Sequence, residues 1–301
     1  MDRPKKWLHD RESFFKYMAP DAALNVLNSR SPQWSSPDSF NDPFDMGFPL
    51  HVDIDHLRAR GLTLKSLWDA HYSLEGIPAD NELGRIIRSW KSVFPKLSRE
   101  EFDREFGEAI DESLRKLPLL VDESNPNFQK AMKDAKVLCL SQRRDSILMW
   151  SHYAQMHQGV VLELACIPER DSAWGAAMRV KYGDMPPMYD DDFLVRVLSG
   201  QASMNTAAFI DESIKRFVTT KAADWSYERE WRVVLHFTDP NQRYEKFAFS
   251  PEELAAVYLG CRMSDDHKEK IVAKIRRDYP STKVFVAEKM ERKFALRFRD
   301  Y

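Results

Sequence analysis

The period of apolar residues changes repeatedly along this chain, and that irregular change constrains the fold most. KVLCLS, GVVLELA, EWRVVLHF, AAVYLG, KVFVAE and FALRFR read as strands. Between them lie stretches whose apolar residues recur at three and four: SILMWSHYAQMH, which Gly159 ends, 188–200, 205–221 and about 264–278. A doubly wound sheet needs strands and helices in strict alternation, so this order predicts an α+β fold built on a mixed sheet. FFKYM adds an early strand, and DAALNVLNS a short helix capped by Asp21.

From about residue 53 to 135 charged residues dominate. In SREEFDREFGEAIDESLRKL, Phe102, Phe106, Ile110 and Leu114 fall on one stripe, and Ser98 with Glu101 matches a capping box. The stretch predicts several amphipathic helices. No Gly/Ser linker bounds them, so they read as a helical insertion (53–135) within a single domain spanning 1–301.

Composition narrows the function classes. A net charge of −2 over 301 residues argues against a dedicated nucleic-acid binder, though not against a local basic patch. Cys139, Cys166 and Cys261 are too few and too scattered for a disulfide framework or a zinc site, and read as thiols in a reducing compartment. No run approaches the ~20 apolar residues that span a bilayer. The basic start, MDRPKKWLHDRES, has no apolar stretch behind it, so the expectation is a cytoplasmic protein without a membrane partner. With only 10 glycines there is neither GxGxxG nor GxxxxGK[ST], and HExxH, CxxC and GxSxG are absent too.

Three segments carry candidate chemistry. In WSYEREWRVVLHF, if Glu228 already belongs to the strand, period-two alternation puts Glu228, Glu230, Arg232 and His236 on one face. Trp231, Val233, Leu235 and Phe237 form the other. Two carboxylates two residues apart repel, which is costly unless their roles differ, one stabilising developing positive charge and the other accepting a proton. They also fit a solvated strand entry paired to Arg229 and Arg232. In CLSQRRDSILMWSHYAQMHQG, helical spacing puts Trp150, Tyr153 and His157 on one face and His152 nearer Met149 and Met156. Two histidines five apart do not share a helical face, so no zinc pair is expected. Such a stripe suits a packing face as well as a site. In SFNDPFD, Asn41 and Asp42 sit in a proline turn between Phe40 and Phe44, either serving their own backbone or aimed into a cleft.

Together these segments resemble a widespread bacterial family, a domain of unknown function. Its marks here are Lys16-Tyr17, Phe40 to Asp45, Cys139 to Ser141, Met149 to Gly159 and Lys221 to Arg232. The order of parts is also similar to the ADP-ribosyltransferase fold, including its DNA-modifying toxin branch. That resemblance implies an NAD-consuming enzyme, a toxin or anti-phage effector, which transfers ADP-ribose to a nucleic acid or protein or hydrolyses NAD. Glu230 would hold the nicotinamide-ribose hydroxyl and stabilise the cationic transition state, and Glu228 would orient or deprotonate the acceptor. Tyr17 or Tyr153 would stack on nicotinamide, Ser141 would support Glu230, and Lys16 is the nearest candidate for the pyrophosphate. Asn41, Asp42, Trp150, His152, His157 and Arg232 complete the implied NAD site, with no metal. Such chemistry needs a carboxylate near developing positive charge, as in glycosidases.

Two other readings stand beside it. Asp42, Asp45, Glu163, Glu228 and Glu230 would be the ligands of a metal-dependent nuclease. The basic stretch from Lys268, with Arg276, Arg277, Lys289, Arg292, Lys293, Arg297 and Arg299, would serve a non-enzymatic nucleic-acid or protein binding module.

Overall fold

The computed structural model describes residues 4, 6–73, 82–189, 191–201, 207–235, 239 and 241–301. They group into two compact units, one of residues 1–47, 131–185 and 218–301, the other of residues 48–130 and 186–217.

The first unit holds the strands. In chain order they are β1 (Ser13–Met18), β2 (Gln33–Ser35), β3 (Lys136–Ser141), β4 (Val160–Ala165), β5 (Met178–Arg179) and β6 (Lys181–Tyr182). Then come β7 (Thr220–Lys221), β8 (Glu230–Leu235), β9 (Tyr244–Lys246), β10 (Leu254–Leu259), β11 (Lys283–Lys289) and β12 (Leu296–Asp300). Ten of them form one sheet along the path β12-β11-β10-β4-β1-β3-β2-β9, with β8 on β3 and β5 on β8. Among the described residues only β10–β11 is parallel within it, so the expected mixed sheet of an α+β fold is present. His236 and Phe237, expected at the end of β8, lie outside the described residues.

The sheet forks at β3. One edge of β3 pairs with β8 along its whole length, from Lys136↔Leu235 to Ser141↔Glu230. The other edge is shared: β1 meets it at Phe15↔Ser141, and β2 at Ser35↔Val137. Between those two points the strands diverge. Backbone groups alternate between the two edges, so Cys139 turns to the same edge as Val137 and Ser141 and faces the gap between them. The Lys16 ammonium donates to the Cys139 carbonyl at 2.8 Å, supplying there the partner that a strand would have given.

Side-chain alternation separates two cores. Phe14, Leu138, Leu140, Leu162 and Val257 pack on one face with Leu27 and with Ile271 and Ile275. These come from helices α1 (Pro20–Ser29) and α8 (Asp265–Asp278). Phe15, Tyr17, Val161, Tyr258 and Trp150 pack on the other, the last from α5 (Ile147–His152). The capping residue of α1 is not Asp21 but Ala19, with Pro20 first in the helix; Asp21 lies in the first turn. The expected helix through His157 stops at α5, because Gln155, Met156 and His157 take positive φ (46°, 53°, 66°). Gly159 closes this turn where a Cβ would lie 2.2 Å from the Met18 carbonyl oxygen.

The second unit holds α2 (His56–Ser73), α3 (Glu82–Val93), most of α4 (Arg99–Asp134), α6 (Asp191–Leu198) and most of α7 (Ala207–Val218). The helices expected over 53–135 are thus α2, α3 and α4. Phe102, Ile110 and Leu114 are buried as their stripe predicts. The capping box forms: the Ser98 N–H donates to Glu101 at 2.9 Å, and the Glu101 N–H to the Ser98 hydroxyl at 3.3 Å. The helix expected over 205–221 ends at Val218, and Thr220–Lys221 is strand; residues 205 and 206 lie outside the described residues.

Candidate active site

Twelve residues, Lys221 to Arg232, build most of the site. After β7 a 3-10 turn runs from Ala223 to Glu228, Arg229 takes the left-handed conformation (φ 47°), and Glu230 opens β8. Glu228 therefore does not belong to the strand, as the period-two reading required. The turn still brings both carboxylates to one amine. Lys221 Nζ donates to Glu228 Oε2 at 2.6 Å and to Glu230 Oε2 at 3.0 Å, and lies 3.4 Å from Asp45 Oδ2. Glu230 and Arg232 do share a strand face. The guanidinium donates from Nε to Glu230 Oε1 at 2.8 Å and from Nη2 to Glu230 Oε2 at 3.1 Å. It also reaches Asp45 Oδ2 at 2.6 Å and the Val218 carbonyl at 3.0 Å. The Arg232 side chain is 0% exposed and the three carboxylates 3–5%, so this is a buried network and not a solvated strand entry.

Burial makes the balance of charge decisive. Three carboxylates face two cations, leaving one negative charge in excess when all are ionised. That excess falls on Glu228. Burial, then the neighbouring Glu230 charge, push its carboxyl up to about 7, against the opposing pull of Lys221 and Tyr153. Burial would raise Glu230 too, but Arg232 and Lys221 outweigh it and hold that carboxyl far below the usual range. Burial acts on Lys221 in the opposite sense and is overcome by Glu230, Glu228 and Asp45, which raise the ammonium. One neighbour is thus a fixed carboxylate and the other a carboxyl poised near neutrality, the division of roles that acid–base sites use.

The network opens into a cavity of about 570 Å³ at the fork, walled by β1 and β3, by Ser39–Asn41 and by α5. Of the residues expected at a site, Lys16, Tyr17, Asn41, Ser141, His152, Tyr153, Glu228 and Glu230 line it. Tyr153 donates its hydroxyl to Glu228 Oε1 at 2.5 Å and takes a weak contact from Asn41 at 3.4 Å. His152 Nδ1 lies 2.8 Å from the Tyr227 hydroxyl. Tyr17 donates to the Arg143 carbonyl at 2.8 Å.

Four expected residues stand behind the walls. Asp42 accepts from the Phe44 N–H at 2.9 Å, closing its own turn, and from Trp225 Nε1 at 2.7 Å. Trp150 is buried core, its Nε1 held by the Arg144 carbonyl at 2.8 Å. His157 stacks on Trp150 and lies 3.2 Å from the Ser151 hydroxyl. Arg232 lies beneath Glu230. Ser141 departs from its implied role: it pairs in register with Glu230, but its hydroxyl donates to the Glu228 carbonyl at 2.7 Å. Phe44 is exposed, and Phe40 lies 5.7 Å from the Arg232 guanidinium.

Sequence reasoning passed over Lys221 and Trp225, although both stand inside the quoted Lys221–Arg232 motif. The Trp225 ring lies 5.0 Å from Lys221 Nζ, and both residues line the cavity. A lysine seven residues before a glutamate pair was the signal that could have found them.

The five carboxylates of the metal reading do not converge. Glu163 is bonded to Ser13 and Tyr258, Asp42 to Trp225, and the other three already share two cations. Among the described residues no group of three His, Cys, Asp or Glu is arranged to hold a metal. Much of the basic C-terminal surface is ion-paired within the chain: Lys274 and Arg277 to Asp278, Arg297 and Arg299 to Glu288. No described helix is long and apolar enough to cross a membrane.

No curated protein and no solved structure matches the chain. Residues 149–233, which carry Tyr153, Lys221, Glu228, Glu230 and Arg232, match a family described as a protein of unknown function (DUF2971), and there the chain is similar to that family.

Proposed function

We propose that the chain is an NAD-consuming enzyme of ADP-ribosyltransferase type, cleaving the bond between nicotinamide and ribose, with Glu228 at the chemistry. The observation that carries this reading is the unequal pair, Glu230 clamped as a carboxylate and Glu228 raised to about 7 at a cavity wall. As the C–N bond breaks, its electron pair leaves with the ring nitrogen and positive charge grows on the ribose carbon. The surplus negative charge of the network stabilises it. Water, or a nucleic-acid or protein acceptor, forms the new bond to that carbon and gives its proton to Glu228. Trp225 and Tyr153 offer the aromatic wall for the leaving ring. The reading includes the finer fold assignment, a cytoplasmic site of action and a role as toxin or anti-phage effector.

The test is nicotinamide release by the purified protein, with and without DNA, RNA and protein acceptors, beside Glu228→Gln. Release is expected from wild type, and a kcat lowered about 10²–10⁴-fold in the variant. No release under any condition refutes the reading. The wild-type kcat/KM should rise with pH through about 7, as Glu228 loses its proton, and Glu228→Gln should lack that limb.

A further inference from the structure

A smaller pocket of about 310 Å³ shares no lining residue with the carboxylate cavity. Neighbouring side chains of a strand point to opposite faces, so β2 serves both spaces: Ser35 walls the cavity and Trp34 the pocket. The other pocket walls are residues 170–174 and 247–250, with Pro32 and Glu253.

These walls hold a polar group that nothing in the fold satisfies. Trp34 is 2% exposed, and its Nε1 is buried with no hydrogen-bond partner. The indoles of Trp150, Trp174 and Trp225 each donate, to the Arg144 and Ala165 carbonyls and to Asp42. A buried donor without an acceptor is destabilising, so an orphan at a pocket wall marks a place for a ligand acceptor. The same wall carries the buried Glu253. Its Oε2 accepts the Ser250 N–H at 2.7 Å, and a carboxylate has a second oxygen. Trp34, Trp174, Phe247 and Phe249 add flat aromatic surface, and the exposed Phe247 stands edge-on to Trp34 at 5.2 Å.

We propose that this pocket binds a small neutral heterocycle with a carbonyl beside a ring N–H, the cyclic-amide edge of uracil or of an oxopurine. The carbonyl accepts the Trp34 N–H as Phe247 turns outward, the ring N–H donates to Glu253, and the ring faces lie against the aromatic walls. A carboxylate ligand is disfavoured, because Asp171 and Glu253 both line the pocket and the Arg170 guanidinium already faces Glu252 at 3.6 Å. A simple cation would leave the indole N–H unmatched. The volume stands at the low end of the about 300–1,000 Å³ of ligand sites and suits a base, not a dinucleotide. The site is independent of the N-glycosidic reading.

The experiment is calorimetric binding of uracil, hypoxanthine and 1,3-dimethyluracil to wild type, Trp34→Phe, Glu253→Gln and Glu228→Gln. Uracil is expected to bind wild type, to bind about tenfold more weakly to Trp34→Phe and Glu253→Gln, and to bind Glu228→Gln as it binds wild type. 1,3-Dimethyluracil keeps both carbonyls and has no N–H, so it should bind wild type about tenfold more weakly than uracil. That comparison needs no variant, and it stands even if Trp34→Phe or Glu253→Gln fails to fold. No binding of uracil or hypoxanthine at millimolar concentration overturns the proposal. So does an affinity indifferent to N-methylation or to a folded Trp34→Phe. Loss of binding in Glu228→Gln would move the ligand to the other cavity and overturn it as well.

Discussion

At the scale of single residues, the two glutamates look equivalent in sequence and are not equivalent in place. Glu230 accepts two bonds from Arg232 and one from Lys221, so removing its charge leaves buried cations unmatched. Glu230→Gln should cost about 3–5 kcal/mol, read by urea denaturation, and is therefore a poor probe of chemistry. Glu228 differs, because a neutral amide replaces a carboxyl that is already partly protonated at neutral pH. Its folded pKa lies above the ordinary 4.5, so protonation favours the folded state. That stabilisation is complete below about 4.5 and is lost as pH rises through about 7, a fall of up to about 3 kcal/mol. Urea midpoints at pH 5 and pH 8 should differ in this sense for wild type and much less for Glu228→Gln; equal midpoints in wild type would refute the raised carboxyl. Glu230 acts oppositely, stabilising above the usual carboxylate range and losing that on acidification. The sequence showed Glu230 and Arg232 on one strand face, because period-two alternation is local. It did not show Lys221 between the glutamates, because that depends on one left-handed residue, Arg229.

At the scale of elements, strands and capped helices were legible because their signals are short-range. β1, β3, β4, β10, β11 and β12 stand where apolar alternation put them, and the Ser98–Glu101 box opens α4 as read. The segment after α5 was not legible. Its residues all suit a helix, but the chain must turn back to start β4, and it does so through three consecutive positive-φ residues. Packing elsewhere imposes that conformation, which no local signal announces. Gly159 is the visible trace of it. Gly159→Ala would drive a methyl into the Met18 and Ala154 backbone and should destabilise by about 2–3 kcal/mol. A melting temperature unchanged by that substitution would show that the turn can open.

At the scale of the whole molecule, the site is assembled from residues far apart in the chain. Asp45 reaches Arg232 across 187 residues, and Tyr153 reaches Glu228 across 75. Closing such long loops costs entropy before any contact repays it, so these bonds form late in folding. Asp45→Asn should therefore speed unfolding about tenfold and leave the folding rate nearly unchanged, as stopped-flow measurements in denaturant would show. A slower folding arm would place the network in the nucleus instead. The fork in the sheet has a mechanical consequence as well. β1 and β3 share one register pair, Phe15↔Ser141, and swing apart beyond it like two blades on a pin, with only the Lys16 ammonium reaching across to the Cys139 carbonyl among the bonds described above. The distance of that pin from β2 sets the width of the opening. One further pair zipped between the blades would narrow it, and one fewer would widen it, so a step of strand register sets the frame that the lining side chains then fill.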